Sequence, residues 1–465
     1  LFDAARFAAE LEDHLLKAWS ESTGHAVPAP VVSRPVARLA PAPAPVAGPV
    51  SRGPRLLIRG WRGINHSFAL VNQQQIIEML REPGLKIFHE DMPTPLKSWH
   101  DGKVQAGFPA SEDAAIQALP SPDGGSYDAV LTLAAPFAPL SVRGERRTAM
   151  FAVTELGPGE NSFAAGFEDP ALYCRSDDEF IVTPTRWSRD RLAEYGFPDT
   201  RIHIVPHGVR TDLFRPLSLN ERNAVRKQVG YQPDEFVFLN LGGMFWNKGP
   251  DLLIRAFAAV HRAAGSRRVR LLLKDQRGLY QQTADTILQQ VVAEFPGLIT
   301  EEVRQAITVL PGNLKMGELR MVYGAADAYV SPYRAEGFNL PVLEAMACGL
   351  QVLATEGGAT DDFLHVGHGV AIRSKAMQME GIRYAPRRFR EPILDDLIEK
   401  MVAMARDSEP RGGQPLAADV SKALSGWTWA GASDRLLELL ELRAPRAHSG
   451  SCMNSASRSS TSPSK

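Results

Sequence analysis

Cysteine is scarce in this chain. Only Cys174, Cys348 and Cys452 occur among 465 residues. They lie far apart and form no zinc spacing, so a reducing, cytoplasmic compartment is expected. An excess of either charge is also missing, with 52 Lys and Arg against 53 Asp and Glu. So even a balance sets up no large field toward a polyanion, and no nucleic-acid partner is expected. No run of about 18 apolar residues exists, so nothing is expected to span a membrane. There is no Asp-x-Asp and no Ser-His-Asp or Cys-His pattern. The chain opens on Leu1 rather than methionine, so its true start is expected to be missing.

What is present suits a globular protein. Hydrophobic residues make up 44%, enough for packed cores, and the length allows about two to four domains. Residues Phe2 to Trp19 carry apolar positions at helical spacing, which predicts a helix within residues 1–25. Residues 26–54 are rich in proline and alanine and read as a linker. That leaves the first helix stranded, as the tail of a preceding domain. The polar stretch 443–465 reads as a disordered tail.

From Arg55 onward, short β-rich runs alternate with helical patterns, the signature of βαβ units on parallel sheets. Strands are expected at Arg55–Ile58, Ala129–Leu133, Phe151–Val153, Phe180–Thr183 and His203–Val205, with a helix at Arg186–Tyr195. The pattern restarts with strand Phe236–Leu241, helix Pro250–Ala263, strand Val269–Leu273, helix Tyr280–Ala293 and strand Ile307–Leu310. Helix Met316–Ala325, strand Ala328–Ser331, helix Pro341–Ala347 and strand Val352–Ala354 follow. Two such series predict two doubly wound α/β domains, 55–205 and 206–442, facing each other across a cleft. Ligands in open parallel sheets sit outside the carboxyl ends of the strands, so residues just after each strand are the candidates.

The strongest candidate segment is SPYRAEGFNLPVLEAMACG, Ser331 to Gly349. A strand end, a loop with Arg334, Glu336 and Gly337, and a helix opening near Leu340 follow in order. Pro341 suits a first helical turn, and the free N–H groups there suit a phosphate. Gly337 would let backbone approach a ligand. A glutamate at the position of Glu344 often serves only the helix dipole.

The whole string resembles retaining glycosyltransferase family 4, which has the GT-B fold of two facing Rossmann-like domains. Three segments carry the likeness in the family's order: Phe180 to Pro216, Phe236 to Phe257 and Glu336 to Gly349. The likeness is good over Phe180 to Leu442 and weaker from Arg55. It implies a retaining, metal-independent transfer of a hexose from a nucleotide-diphosphate sugar, with no cofactor. The acceptor would be a glycan, a lipid-linked glycan or a protein. A lipid-linked acceptor would bring peripheral contact with the inner face of a membrane. By the same likeness, Lys248 binds the diphosphate and Glu336 the transferred sugar, the two being the catalytic pair. The N–H groups of Phe338, Asn339 and Leu340 face sugar and phosphate, and Glu344 binds ribose. Gly242, Gly243 and Thr360, the last in the loop EGGAT, complete the donor site. In the first domain Gly60, Gly63, Asn65 and His66 would line the facing loop, and His207 lies at the hinge side. Separately, LFDAARFAAELEDHLLKAW resembles the closing helix of bacterial O-linked N-acetylglucosamine transferase-like enzymes.

Two positions depart from the family. Gly243 stands where an arginine is usual, so Arg334 or Lys274 is expected to supply the missing cation. Asn339 replaces a commoner glycine. The departure at Gly243 favours one rival reading, a non-catalytic sugar-nucleotide-binding module. A second rival is a phosphorylase-like enzyme with pyridoxal phosphate on a lysine. Among the acidic pairs, Asp361-Asp362 competes as a metal site. Asp395-Asp396 is expected on a solvated helix face.

Overall fold

The computed structural model describes residues 53–94, 107–139, 146–264, 268–381, 385–407 and 418–443. The helix expected in 1–25, most of the linker, nearly all of the tail and Cys452 lie outside the described residues.

The first sheet contains β1 (Arg55–Gly60), β2 (Lys86–Asp91), β3 (Ala129–Leu133), β4 (Arg147–Phe151), β5 (Glu179–Thr183) and β6 (Ile202–Ile204). Its order is β2-β1-β3-β4-β5-β6, and every pairing is parallel. The second contains β7 (Phe236–Gly242), β8 (Val269–Asp275), β9 (Ile307–Leu310), β10 (Ala328–Ser331), β11 (Gln351–Thr355) and β12 (Val370–Ile372). Its order is β12-β11-β10-β7-β8-β9, again all parallel. Helices cover both faces, so the strands read as continuous apolar runs rather than alternating ones. AVLTL of β3 is buried throughout, as are the first five residues of β7.

Local signals set many boundaries. The helix Arg186–Tyr195 starts at Thr185, whose side chain accepts from the Ser188 N–H, and stops at Gly196 with φ 115°. Pro250 opens the helix Pro250–Ala263, whose apolar face includes Leu253, Ile254 and Phe257. Phe257 is wholly buried, and truncating it to alanine should cost about 3–5 kcal/mol.

Other expectations need correcting. The strand placed at Phe151–Val153 is β4, Arg147–Phe151. Its polar start is held in place because the Arg147 guanidinium donates to the Leu439 carbonyl. The helix expected from Tyr280 begins at Ala284, capped by Thr283, while the Asp275 carboxylate takes the Ala284 N–H. Asp396 is not solvated. It is 4% exposed and pairs with Arg373 and Lys400. The helix Trp429–Leu439, assigned by sequence to the second domain, packs into the core of the first beside Leu56, Ile58 and Leu131.

A two-stranded antiparallel hairpin, β13 (Ser374–Met379) and β14 (Arg387–Pro392), has no counterpart in the sequence reading. It touches both domains. The Arg388 N–H donates to the Leu156 carbonyl of the first domain, and Glu391 binds Arg334 of the second.

Candidate functional site

In the second sheet the strand order reverses between β7 and β10, the crevice where such folds bind ligands. The loops after these two strands carry the candidate residues. After β7, Trp246–Lys248 forms a short 3-10 turn that ends at Gly249 with φ 71°. A Cβ at Gly249 would lie 2.0 Å from the Pro332 carbonyl oxygen, so only glycine lets the two loops meet. Asn247 ties them together. Its carbonyl accepts from the N–H groups of Arg334 and Ala335, and its side-chain amide donates to the Ala335 carbonyl at 3.2 Å.

Lys248 Nζ lies 2.7 Å from Glu336 Oε2 and 2.8 Å from Glu155 Oε1. Burial disfavours the lysine's charge, but the two carboxylates more than offset this and raise its pKa. Burial also raises the pKa of Glu336, opposed by Lys248 and by the Gly337 N–H. Glu155 belongs to the first domain, in the loop after β4. One cation therefore joins carboxylates from both sides of the cleft.

The helix Leu340–Ala347 begins behind Asn339, which adopts φ 78° and ψ 61° with Pro341 in the first turn. Asparagine tolerates this left-handed conformation, and its amide is fixed by a 2.9 Å hydrogen bond to Ser331 Oγ. Phe338 stacks on Phe363 and packs against His207. Glu344, one turn inside the helix, accepts from the Tyr323 hydroxyl at 2.7 Å. Burial pushes its pKa up to about 7, with Tyr323 opposing.

Several expected roles change. Arg334 makes bidentate pairs with Asp251 and Glu391, donates to the Trp246 carbonyl and lies over the Trp246 ring. It is already neutralised and braces the loop. Lys274 Nζ donates to the Asp275 and Gly312 carbonyls, and burial lowers its pKa to about 8. Neither is placed as the cation missing at Gly243. A Cβ at Gly243 would lie 2.7 Å from the Phe245 ring, which packs edge-on against Tyr280. An aromatic pair thus fills the space beside Gly243. The Thr360 hydroxyl does not face outward either, since it bonds the Tyr333 hydroxyl and the Thr355 carbonyl. Asp361 accepts the Gly357 N–H, and Asp362 pairs with Arg186 of the first domain at 2.7 Å. Gly337 lies against the first domain, since a Cβ there would lie 2.3 Å from Val153 Cγ2.

The loop after β1 meets the second domain. The Asn65 amide donates to Asn313 Oδ1 at 2.9 Å, and Trp61 and Ile64 cluster with Leu279. Gly63 takes φ 77°, and a Cβ at Gly60 would crowd the Leu133 carbonyl. His66 caps the helix Ser67–Met79, its ring nitrogen accepting from Phe68 N–H. Burial, and then the charge of Lys248, lower its pKa to about 4. His207 is buried among Phe151, Phe338 and Trp429, and burial lowers its pKa to about 3. Gly242 ends β7 with φ 135°.

Sequence reasoning missed Glu155. It lies just past the strand expected at Phe151–Val153 and just past β4 as observed, but the first domain carries no motif strong enough to single it out. A cavity of about 450 Å³ lies elsewhere, at the amino ends of β11 and β12, lined by Arg222, Cys348 and His368. It is bordered by Asp407 and Val420.

Two facing six-stranded parallel domains joined across their strand ends define the GT-B fold. Solved structures of that fold align over most of the chain. A glycosyltransferase from Rickettsia africae covers 84% of this chain and 98% of its own, with TM-score 0.57 and 12% identity. Anabaena HepE in complex with UDP and glucose covers 83% and 99%, with TM-score 0.56 and 13% identity. At the sequence level, residues 235–380 match the family described as Glycosyl transferases group 1. D-inositol 3-phosphate glycosyltransferase 1 of Catenulispora acidiphila is 30% identical over 298 residues, 60% of this chain and 61% of that protein. Mannosylfructose-phosphate synthase of Agrobacterium fabrum is 27% identical over 284 residues, 61% of this chain and 57% of that protein. The chain therefore spans roughly three-fifths of the length of these curated relatives. No helix among the described residues is long and apolar enough to cross a membrane.

Proposed function

We propose that this protein transfers a hexose from a nucleotide-diphosphate sugar to a hydroxyl of a glycan, lipid-linked glycan or protein, with retention and without a metal ion. The observation that carries this reading is Lys248, held at the strand-order reversal between Glu336 and Glu155. Lys248 and the N–H groups of Phe338, Asn339 and Leu340 would take the diphosphate, a helix start being suited to phosphate. Glu336 would accept hydroxyls of the transferred sugar, and Glu344 those of the ribose. As the sugar's bond to the diphosphate breaks, negative charge grows on the leaving oxygen, where a fixed cation lowers the barrier. The acceptor oxygen then bonds to the anomeric carbon from the same face, and its proton passes to the departing phosphate. No enzymic nucleophile is required.

The relatives named as glycosyltransferases and the HepE complex with UDP and glucose support the donor class. Metal independence rests on the carboxylates. Asp361 and Asp362 are held by a backbone N–H and by Arg186, and the chain has no Asp-x-Asp. The test is a thermal-shift screen with UDP-, GDP- and ADP-sugars, followed by transfer assays on the donors that bind. A ligand at about 100 times its dissociation constant stabilises by about 2.7 kcal/mol. A protein that neither binds nor cleaves any nucleotide sugar would sink the reading.

A further inference from the structure

The loop around Glu155 is fixed more firmly than a connection requires. The Thr154 N–H donates to Ser188 Oγ at 3.0 Å, and the Gly157 N–H to Thr154 Oγ1 at 2.9 Å. The Trp187 indole donates to the Glu155 carbonyl at 2.7 Å. The Arg388 N–H of the hairpin donates to the Leu156 carbonyl at 2.7 Å. The backbone is thus pinned on both sides of one carboxylate, the arrangement that holds a functional group in place. Glu155 Oε2 accepts from the Asn247 amide at 2.6 Å and Oε1 from Lys248 at 2.8 Å.

Glu336 and Glu155 share Lys248 but are not equivalent. The Glu336 side chain is 10% exposed and takes the Gly337 N–H, whereas Glu155 is 40% exposed. A diphosphate arriving at Lys248 meets one cation against two carboxylates, and like charges repel strongly in a closed site. The more exposed carboxylate is the one that lets go. The neutral Asn247 amide already serves Oε2, so Oε1, on losing Lys248, needs a second neutral donor to stay beside a polyanion, and a hydroxyl is the one this chemistry brings.

We propose that Glu155 is the acceptor-side residue of the site, giving up Lys248 to the donor's diphosphate and accepting instead a hydrogen bond from the attacking hydroxyl. The inference rests on the transferase reading above. It goes beyond that reading by assigning the acceptor's hydroxyl to a residue of the first domain. Glu155 and an incoming diphosphate compete for one lysine, so weakening Glu155 favours the anion. A residue that merely braced the cleft would have the opposite effect.

The test uses Glu155→Gln in the full chain, with inorganic pyrophosphate and UDP as calorimetric probes. Affinity for both should rise about 3-fold to 10-fold, and the gain should vanish when Lys248→Ala is added. In transfer assays with a donor and acceptor found for the wild type, the acceptor KM should rise at least about tenfold, with the donor KM unchanged or lower. A fall in pyrophosphate affinity, or an acceptor KM within about twofold of wild type, would overturn the assignment. Glu155→Asp, which keeps the charge, should recover part of the acceptor KM and bind the probes as wild type does. Wild type that ignores pyrophosphate, UDP and every nucleotide sugar would count against the transferase reading instead.

Discussion

The two domains share one plan and use it differently. Each is a sheet of six parallel strands covered by helices. In the second, the reversal between β7 and β10 places Lys248 and Glu336 together, with a helix start beside them. In the first, the reversal lies between β1 and β3, yet the loop after β1 mainly packs against the second domain through Trp61, Ile64 and Asn65. The first-domain side chain that reaches the lysine comes instead from the loop after β4. A parallel sheet offers several strand ends, and the facing domain decides which becomes chemical.

The sharpest way to break this contrast is to remove the shared cation. Lys248→Ala deletes a charge-assisted contact worth about 1.5–3 kcal/mol, so donor use should fall about 10-fold to 100-fold. Asn65→Ala, which loses a contact between the domains, should change it less than about threefold. Equal losses would erase the distinction between chemical and packing loops. Steady-state kinetics on purified variants provide the measurement.

Within the second domain, Glu336→Gln should mainly lower kcat and Glu344→Gln mainly raise the donor KM. The opposite split would exchange their roles. Glu344 also has a pH signature. Its folded pKa of about 7 lies above the unfolded value. The folded state therefore binds more protons between these values, and stability is lost as pH rises through them. Glu344→Gln should stabilise the protein by about 1–3 kcal/mol at pH 8 and by nothing near pH 4, read from urea unfolding at both.

The seam between the domains gives a smaller effect. Gly337→Ala places a methyl against Val153 and should cost about 1–3 kcal/mol. Adding Val153→Ala should restore at least half of that loss in the same unfolding assay. Restoration would show that Gly337 is kept for the close approach of the domains. No restoration would return it to the ligand. The smallest effect expected is that of chelation. Excess EDTA should leave transfer within about twofold of its untreated rate, since the cradle proposed above would use a lysine and N–H groups rather than a hard divalent cation. Loss with EDTA and rescue by Mn²⁺ would point to Asp361 and Asp362.

Much of this protein is written locally. Helix Arg186–Tyr195 lies between its Thr185 cap and Gly196, Pro250 opens its helix, and the apolar runs of β3, β7 and β10 match buried strands. These features depend on neighbours a few residues away, so the sequence alone determined the two-domain parallel architecture and placed Lys248, Glu336 and Glu344 near strand ends. Tertiary structure decided the rest, because it depends on residues far apart in the chain. Arg334 carries the same charge wherever it points, and only Asp251 and Glu391 turn it from a phosphate ligand into a brace. Gly243 leaves room that Phe245 and Tyr280 fill. Glu155 sits 93 residues from Lys248, and its place after a strand does not separate it from other loop residues. Its position at the lysine follows from loops at the carboxyl ends of β4 and β7, in two separate sheets, being brought together, a contact no periodicity or motif encodes.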